Sequence, residues 1–212
     1  MAQTIWIARH GNRLDFVNPE WFNTAKRRYD PPLSEDGVIQ AQQLAQRLKS
    51  ENIAHIFASP FLRTVQTAYE VAKVLDLPIK LEAGLGEWLN PNWMTRMPKR
   101  LPQEVLAAQY PLIDLNYQSR LNPQYPESLE QLKARNTKIG QILSQAYSED
   151  ILIVGHGATV MWMTTGLVAG KPEVKASLCC IVKIVRDNNQ WKLEINGDTS
   201  HLSNSETMIR LN

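Results

Sequence analysis

Ile5-Trp6-Ile7-Ala8-Arg9-His10-Gly11 and Ile151-Leu152-Ile153-Val154-Gly155-His156-Gly157 follow one pattern, a short apolar run that passes directly into a His-Gly pair. Short continuous apolar runs rich in β-branched residues predict strands buried on both faces, as in parallel sheets. Thr4–Ala8 and Ile151–Val154 are therefore predicted strands. In open α/β sheets ligands bind at the carboxyl ends of the strands. Adjacent strands lie about 4.8 Å apart, so the two histidines could face one pocket. The glycine after each lets backbone come close to a ligand. One histidine at a strand end is most simply a polar residue; two in the same setting, one beside Arg9, point to function.

Working outward, Val38, Ala41, Leu44, Ala45 and Leu48 fall at helical spacing and predict a helix from about Ser34 to Ser50. His55–Ala58 reads as a second strand. Ser59-Pro60 then has the form of an N-cap followed by proline at the first helical position. The helix it would open carries Val65, Ala68, Ala72 and Leu75 on one face. Leu77–Leu81 reads as a short third strand. Ser128 and Gln131 form a capping-box pattern ahead of a helix through Ala146. A helix after His156 is expected to reach Ala169 and stop at Gly170-Lys171-Pro172. Leu178–Arg186 and Trp191–Ile195 read as a hairpin around Asp187-Asn188-Asn189-Gln190. This alternation predicts an α/β fold, a three-layer α/β/α sandwich with a mostly parallel central sheet.

Two stretches break the alternation. Asn12 to Pro32 reads as irregular and holds Pro19, Trp21, Phe22 and the triplet Lys26-Arg27-Arg28. The triplet reads as a solvated loop or an anion contact. Residues 84–126 are rich in Pro, Trp, Met, Tyr and Asn, with a short helical piece near Gln103–Gln109. They read as an insertion over the active site, since long segments of this kind are usually lids or binding loops. Within it Trp88, Trp93, Met94, Met97 and Tyr110 either line an aromatic pocket or pack the insertion onto the body.

The bulk properties narrow the functional classes. A chain of 212 residues fits one domain, 1–212. A net charge of +2 gives no general attraction to nucleic acid or membrane, so an anion site must be a local cluster. No apolar run approaches the roughly 20 residues that span a bilayer, and the first residues lack the form of a signal peptide. Cys179 and Cys180 are adjacent; on a strand they would point to opposite faces, which argues against a disulfide and for a reduced, cytoplasmic protein. With four histidines, no HExxH and no Cys/His cluster, neither a metal nor a cofactor is expected. The expected partner is a phosphorylated substrate, and a homodimer stays open.

Three arginines sharpen the reading. Arg9 precedes His10, Arg13 follows it by three residues, and Arg63 falls in the first turn of a predicted helix. A helix N-terminus already favours anions. A cation there gains nothing from the dipole and is better explained by an anionic ligand held bidentately.

These residues resemble the histidine phosphatase superfamily, also called phosphoglycerate-mutase-like. Arg9-His10-Gly11 matches its signature. Pro32-Leu33-Ser34-Glu35-Asp36-Gly37 resembles PLTxxG, and Ser59-Pro60-Phe61-Leu62-Arg63-Thr64-Val65-Gln66-Thr67-Ala68 resembles SPxxRxxQTA. Gly84-Leu85-Gly86-Glu87-Trp88 stands where the family places its acid, and Gly155-His156-Gly157 matches the second histidine motif. The resemblance implies that His10 is the nucleophile and that Arg9, Arg63 and His156 hold the phosphoryl oxygens. It implies that Glu87 protonates the leaving oxygen and then activates water. Glu82 is a nearby competitor without the same context, and His55 and His201 match no motif. Arg13 makes the pattern RHGxR and joins the substrate-binding set. It turns the resemblance away from mutases and toward TULA/Sts-like phosphatase domains. A mutase and a non-catalytic phosphate-binding module are the alternatives.

Overall fold

The structure, a computed structural model, describes residues 2–18, 20–188 and 190–203. Pro19 and Asn189 lie outside the described residues. The six strands are β1 (Thr4–Arg9), β2 (His55–Ala58), β3 (Ile79–Leu81), β4 (Ile151–Gly155), β5 (Ile181–Asp187) and β6 (Gln190–Asp198). They form one sheet in the order β3-β2-β4-β1-β5-β6. The first four in that order run parallel, and the β5–β6 hairpin adds antiparallel to the edge of β1. The predicted α/β sandwich with a mostly parallel sheet is therefore the fold.

Strand periodicity divides the core into two layers. Trp6, Ala8, Ile56, Ala58, Leu152 and Val154 face α3 (Glu35–Leu48) and α4 (Leu62–Leu75). Ile5, Ile7, Phe57, Ile151 and Ile153 face α6 (Leu129–Ala146) and α7 (Gly157–Leu167). Both faces of the central strands are buried, which is why their sequences run apolar without alternation. Each fully buried Ile, Leu or Val contributes about 1.5–3 kcal/mol relative to exposure.

Several local expectations change. The Asn12–Pro32 stretch contains two single helical turns, α1 (Leu14–Val17) and α2 (Trp21–Thr24). Helix α4 starts at Leu62 with Phe61 at its cap position, so Ser59 is not its N-cap. The cap comes from a distant loop: the Leu62 N–H donates to Asp30 Oδ1 at 2.7 Å. Leu178–Cys180 precedes β5 as a turn, with Cys179 at φ +54°, so the two cysteines do not sit on a strand. Both are buried free thiols, and burial pushes both pKa values well up. In the insertion, a 3₁₀ turn (Ala83–Leu85) and α5 (Gln103–Gln109) are the regular pieces among otherwise irregular chain.

Gly11 also permits a close approach of chain to chain. A Cβ on it would lie 2.5 Å from the Gly37 carbonyl oxygen, and a Cβ on Gly37 would lie 2.1 Å from the Asn12 carbonyl oxygen. These two motif glycines let the loop after β1 pack backbone to backbone on the first turn of α3.

Candidate active site

Three neighbouring strands end side by side. Arg9 pairs with Gly155 at the ends of β1 and β4, and the His10 N–H donates to the Gly155 carbonyl at 3.0 Å. On the other side of β4, the Ser59 N–H donates to the Val154 carbonyl at 3.0 Å. His10, His156 and Ser59 thus leave the sheet as a row, and Arg63 enters from the first turn of α4. His10 and His156 are fully buried, with ring centroids 5.4 Å apart, and Arg63 is 1% exposed. Two strand ends and a helix start bring together residues separated by up to 146 positions.

The protonation pattern follows from what each partner can accept. His10 Nδ1 lies 2.7 Å from the Gly11 carbonyl, which can only accept, so Nδ1 carries the proton. Its Nε2 lone pair faces Arg63, whose Nε donates to it at 3.3 Å. Burial lowers the His10 pKa well below 6.5, and Arg63, Arg9, His156 and Arg13 lower it further. The ring is neutral at pH 7 with an unprotonated Nε2.

His156 is the mirror case. Its Nδ1 lies 3.1 Å from Glu87 Oε2 and its Nε2 lies 2.9 Å from Ser59 Oγ. Arg63 Nη2 also lies 3.2 Å from Nδ1; with the Glu87 carboxylate accepting from both, Nδ1–H points to Glu87 and the Ser59 hydroxyl donates to Nε2. Burial pushes His156 down, Glu87 lifts it part of the way and Arg63 lowers it again, leaving it at about 4. Burial would raise Glu87, but His156 and Arg63 reverse that and hold the carboxyl well below its ordinary range. Arg63 Nη2 sits 3.2 Å from Glu87 Oε2. Burial and Arg13 lower Arg63 to about 10, so it stays charged. Its Nη1 is buried and makes no hydrogen bond among the described residues.

The remaining expected residues divide. Arg13 is buried beside Arg63, ion-paired to Asp15 through Nε at 2.9 Å and through Nη2, with its guanidinium 4.3 Å from the Phe16 ring centroid. Arg9 is buried, its charge acts on His10, and its Nη1 donates to the Ala176 carbonyl at 2.8 Å. Glu82 is outside the site. Its carboxylate accepts from the Tyr117 hydroxyl and the Arg120 N–H, both at 2.7 Å, and from the Gly84 N–H at 2.8 Å, so it organises the insertion. A cavity of about 210 Å³ above Arg63 and Glu87 is lined by Arg13, Phe22, Tyr29, Trp93 and Met94. Trp88 packs on Trp93, while Tyr110 packs away from the cavity against Tyr69 and Met97 lines a separate one with Arg100.

Sequence reasoning missed four supporting groups. Ser59 orients His156, and Asp15 holds Arg13. Gln66 Oε1 accepts from the Leu33 N–H at 2.8 Å, and Thr67 Oγ1 accepts from the Gly11 N–H at 3.2 Å. Gln66 and Thr67 are three and four residues past Arg63, so one face of α4 grips both loops that flank the site. That spacing was readable in the sequence; the partners were not.

His10, Glu87 and His156 also offer three ligand atoms within 4.8 Å of one another, a geometry that could hold a metal ion. The charge argues otherwise. Arg63 lies among these atoms and Arg9 and Arg13 flank them, so the field and the open donor at Arg63 Nη1 suit an anion.

Fold and site together define an α/β protein with an unprotonated imidazole nitrogen among buried guanidinium groups at its strand ends. The family model described as histidine phosphatase superfamily (branch 1) matches residues 5–199, and the chain belongs to that superfamily. It is 27% identical to the transcription factor tau 55 kDa subunit of Saccharomyces cerevisiae, over 98% of this chain and 58% of that one. It is 28% identical to the ecdysteroid-phosphate phosphatase of Drosophila melanogaster, over 89% of this chain and 31% of that one. The chain thus spans about half and about a third of these two relatives. The probable phosphoglycerate mutase GpmB of Proteus mirabilis is 29% identical, with 94% of each chain covered. Among solved structures, the ecdysone phosphate phosphatase of Bombix mori in complex with tungstate superposes with a TM-score of 0.78 at 19% identity, covering 98% of both chains. Among the described residues no helix is long and apolar enough to cross a membrane.

Proposed function

We propose that this chain hydrolyses phosphomonoesters through a phosphohistidine formed on His10. The observation that carries this is the state of His10: Nδ1–H is tied to the Gly11 carbonyl, and Nε2 is an unprotonated lone pair facing the cradle. The phosphoryl oxygens take the N–H groups of Arg63, including Nη1, and the His156 Nδ1–H. Arg9 and Arg13 add positive charge around them.

The arriving anion also changes Glu87. It competes for Arg63 and His156 and brings negative charge next to the carboxylate, so the pKa of Glu87 rises and Glu87 takes up a proton. His10 Nε2 then attacks phosphorus as the bond to the leaving oxygen breaks, and Glu87 gives its proton to that oxygen. After the alcohol leaves, Glu87 takes a proton from water while the water oxygen attacks phosphorus. The P–N bond breaks, releasing inorganic phosphate and neutral His10.

The cavity mouth favours an ester with an aryl or other apolar leaving group, since Phe22, Tyr29, Trp93 and Met94 meet it next to Arg13. A small-molecule or tyrosyl phosphate satisfies that chemistry. The relative named a mutase supplies the second reading, in which the phosphoryl group returns to a bound alcohol instead of water.

Rapid quench with ³²P-labelled aryl phosphate tests the proposal. An alkali-stable, acid-labile phosphoenzyme is expected, and His10→Ala should remove it along with turnover, by roughly 10⁴-fold or more. Full turnover in that variant would refute the nucleophile. Exchange between 3-phosphoglycerate and 2-phosphoglycerate that outpaces phosphate release would establish the mutase reading instead.

A further inference from the structure

We propose that Arg135, far from the cradle in sequence and untouched by the phosphoryl group, is the positioning residue that sets where Glu87 stands. The inference rests on the reading of Glu87 as the acid. Glu87 belongs to no helix or strand, so its backbone has no regular ladder to fix it. The carbonyls around it are instead held by side chains from the two helices behind the sheet. Arg135 on α6 donates Nη1 to the Gly84 and Gly86 carbonyls at 2.7 and 2.9 Å, and Nη2 to the Glu87 carbonyl at 3.3 Å. The carbonyl between them, of Leu85, accepts from Thr159 Oγ1 on α7 at 3.3 Å. Four consecutive carbonyls, 84 to 87, are thereby fixed to the body of the fold.

The rest of the guanidinium is used on the other root of the insertion. Nε and Nη2 of Arg135 meet Glu127 Oε1 and Oε2 at 2.6 and 2.7 Å, with both side chains 4% exposed. Glu127 in turn receives the Leu89 N–H on its carboxylate at 3.3 Å and the Trp88 indole N–H on its carbonyl at 2.9 Å. A guanidinium has five N–H donors, and here five hydrogen bonds take them. Arg135 therefore ties the start of the 84–126 insertion, its end and α6 at one point. The Glu87 backbone is thereby held from the body of the fold, in addition to the ties that Tyr117, Ser119 and Arg120 make to Glu82 and Ala83. No other residue type matches this geometry: a lysine has three donors on one atom and cannot reach both the paired carboxylate and the three carbonyls.

A displaced acid has a signature that general loss of structure does not share. Esters with poor alkyl leaving groups need the proton, while 4-nitrophenyl phosphate, whose leaving oxygen is stable as an anion, hardly does. For Arg135→Lys, kcat/KM, which reports the phosphorylation step alone, should fall roughly 10²-fold on an alkyl phosphate and less than about 5-fold on 4-nitrophenyl phosphate. Inhibition by inorganic phosphate should stay within about 2-fold. Removing one member of a buried pair can unfold a protein, so the double variant Arg135→Met, Glu127→Leu, which removes both charges, is measured alongside and should show the same split. Glu87→Gln is the control. If it shows the split and the Arg135 variants lose both activities equally or neither, the positioning role is wrong while Glu87 stands as the acid. If Glu87→Gln itself shows no split, the acid reading and the inference fail together.

Discussion

The two halves of the site are built by opposite means. The cluster of His10, His156 and Arg63 stands on strand ends and a helix start, where backbone hydrogen bonds fix each Cα before any side chain is considered. Glu87, the proposed acid, stands on irregular chain, and its backbone is fixed by side chains reaching in from α6 and α7. Regular structure gives a rigid cluster, which the proposed reaction would use for the phosphoryl group common to every substrate. Beyond Leu89 the chain meets the sheet through the bridge of Ile113 to Ile79 at the edge strand, away from the strand ends that carry His10 and His156.

Arg63 is where the halves touch, since it donates to His10 and pairs with Glu87. Arg63→Met should therefore damage both at once. Phosphoenzyme formation should slow by roughly 10³-fold, and Glu87, left buried without its guanidinium, should titrate upward. A rate loss under 10-fold in quench kinetics would mean that the cradle works without this residue.

Titration separates the halves next. His10 and His156 are held neutral by burial, His156 at about 4 against an ordinary 6.5. Between those values the unfolded chain binds a proton at His156 that the folded chain refuses, so stability falls as the pH drops from about 6.5 to 4. The shift corresponds to roughly 3–4 kcal/mol, or about 300-fold in the folding equilibrium. Glu87, whose pKa is depressed, adds loss in the same direction below about 4.5. Denaturant melts across this range should show the decline, and His156→Gln should flatten the upper part of it. A flat wild-type profile would contradict the buried neutral imidazoles.

Ser59→Ala is the mildest break and touches the cradle alone. Without the hydroxyl at Nε2, His156 loses the hydrogen bond that keeps its proton on Nδ1. Turnover should drop about 5- to 10-fold for aryl and alkyl esters alike. A loss confined to alkyl esters would place Ser59 with the acid instead.

How much of this could be read beforehand differs between the halves. The strands, α3, α6, both histidines and Arg63 were legible because buried parallel strands and amphipathic helices leave periodic patterns, and the motifs keep a fixed order. Asp30 was not, because a cap supplied 32 residues from its helix has no local spacing; Ser59-Pro60 imitated one. The choice of Glu87 over Glu82 came from motif context, and the structure adds the reason: Glu82 is saturated by Tyr117, Arg120 and Gly84. Cys179 and Cys180 looked like strand residues because β-hairpin neighbours hide a left-handed turn that no glycine marks.

By itself the sequence determined the sheet, its layers and the side chains expected at the strand ends, because periodicity and ordered motifs are properties of neighbours along the chain. Only the tertiary structure decided which nitrogen of each histidine carries the proton, which cation holds Glu87's carboxylate and which holds its backbone. Those outcomes depend on hydrogen bonds between residues tens to more than a hundred positions apart, and such contacts exist only once the chain has closed on itself.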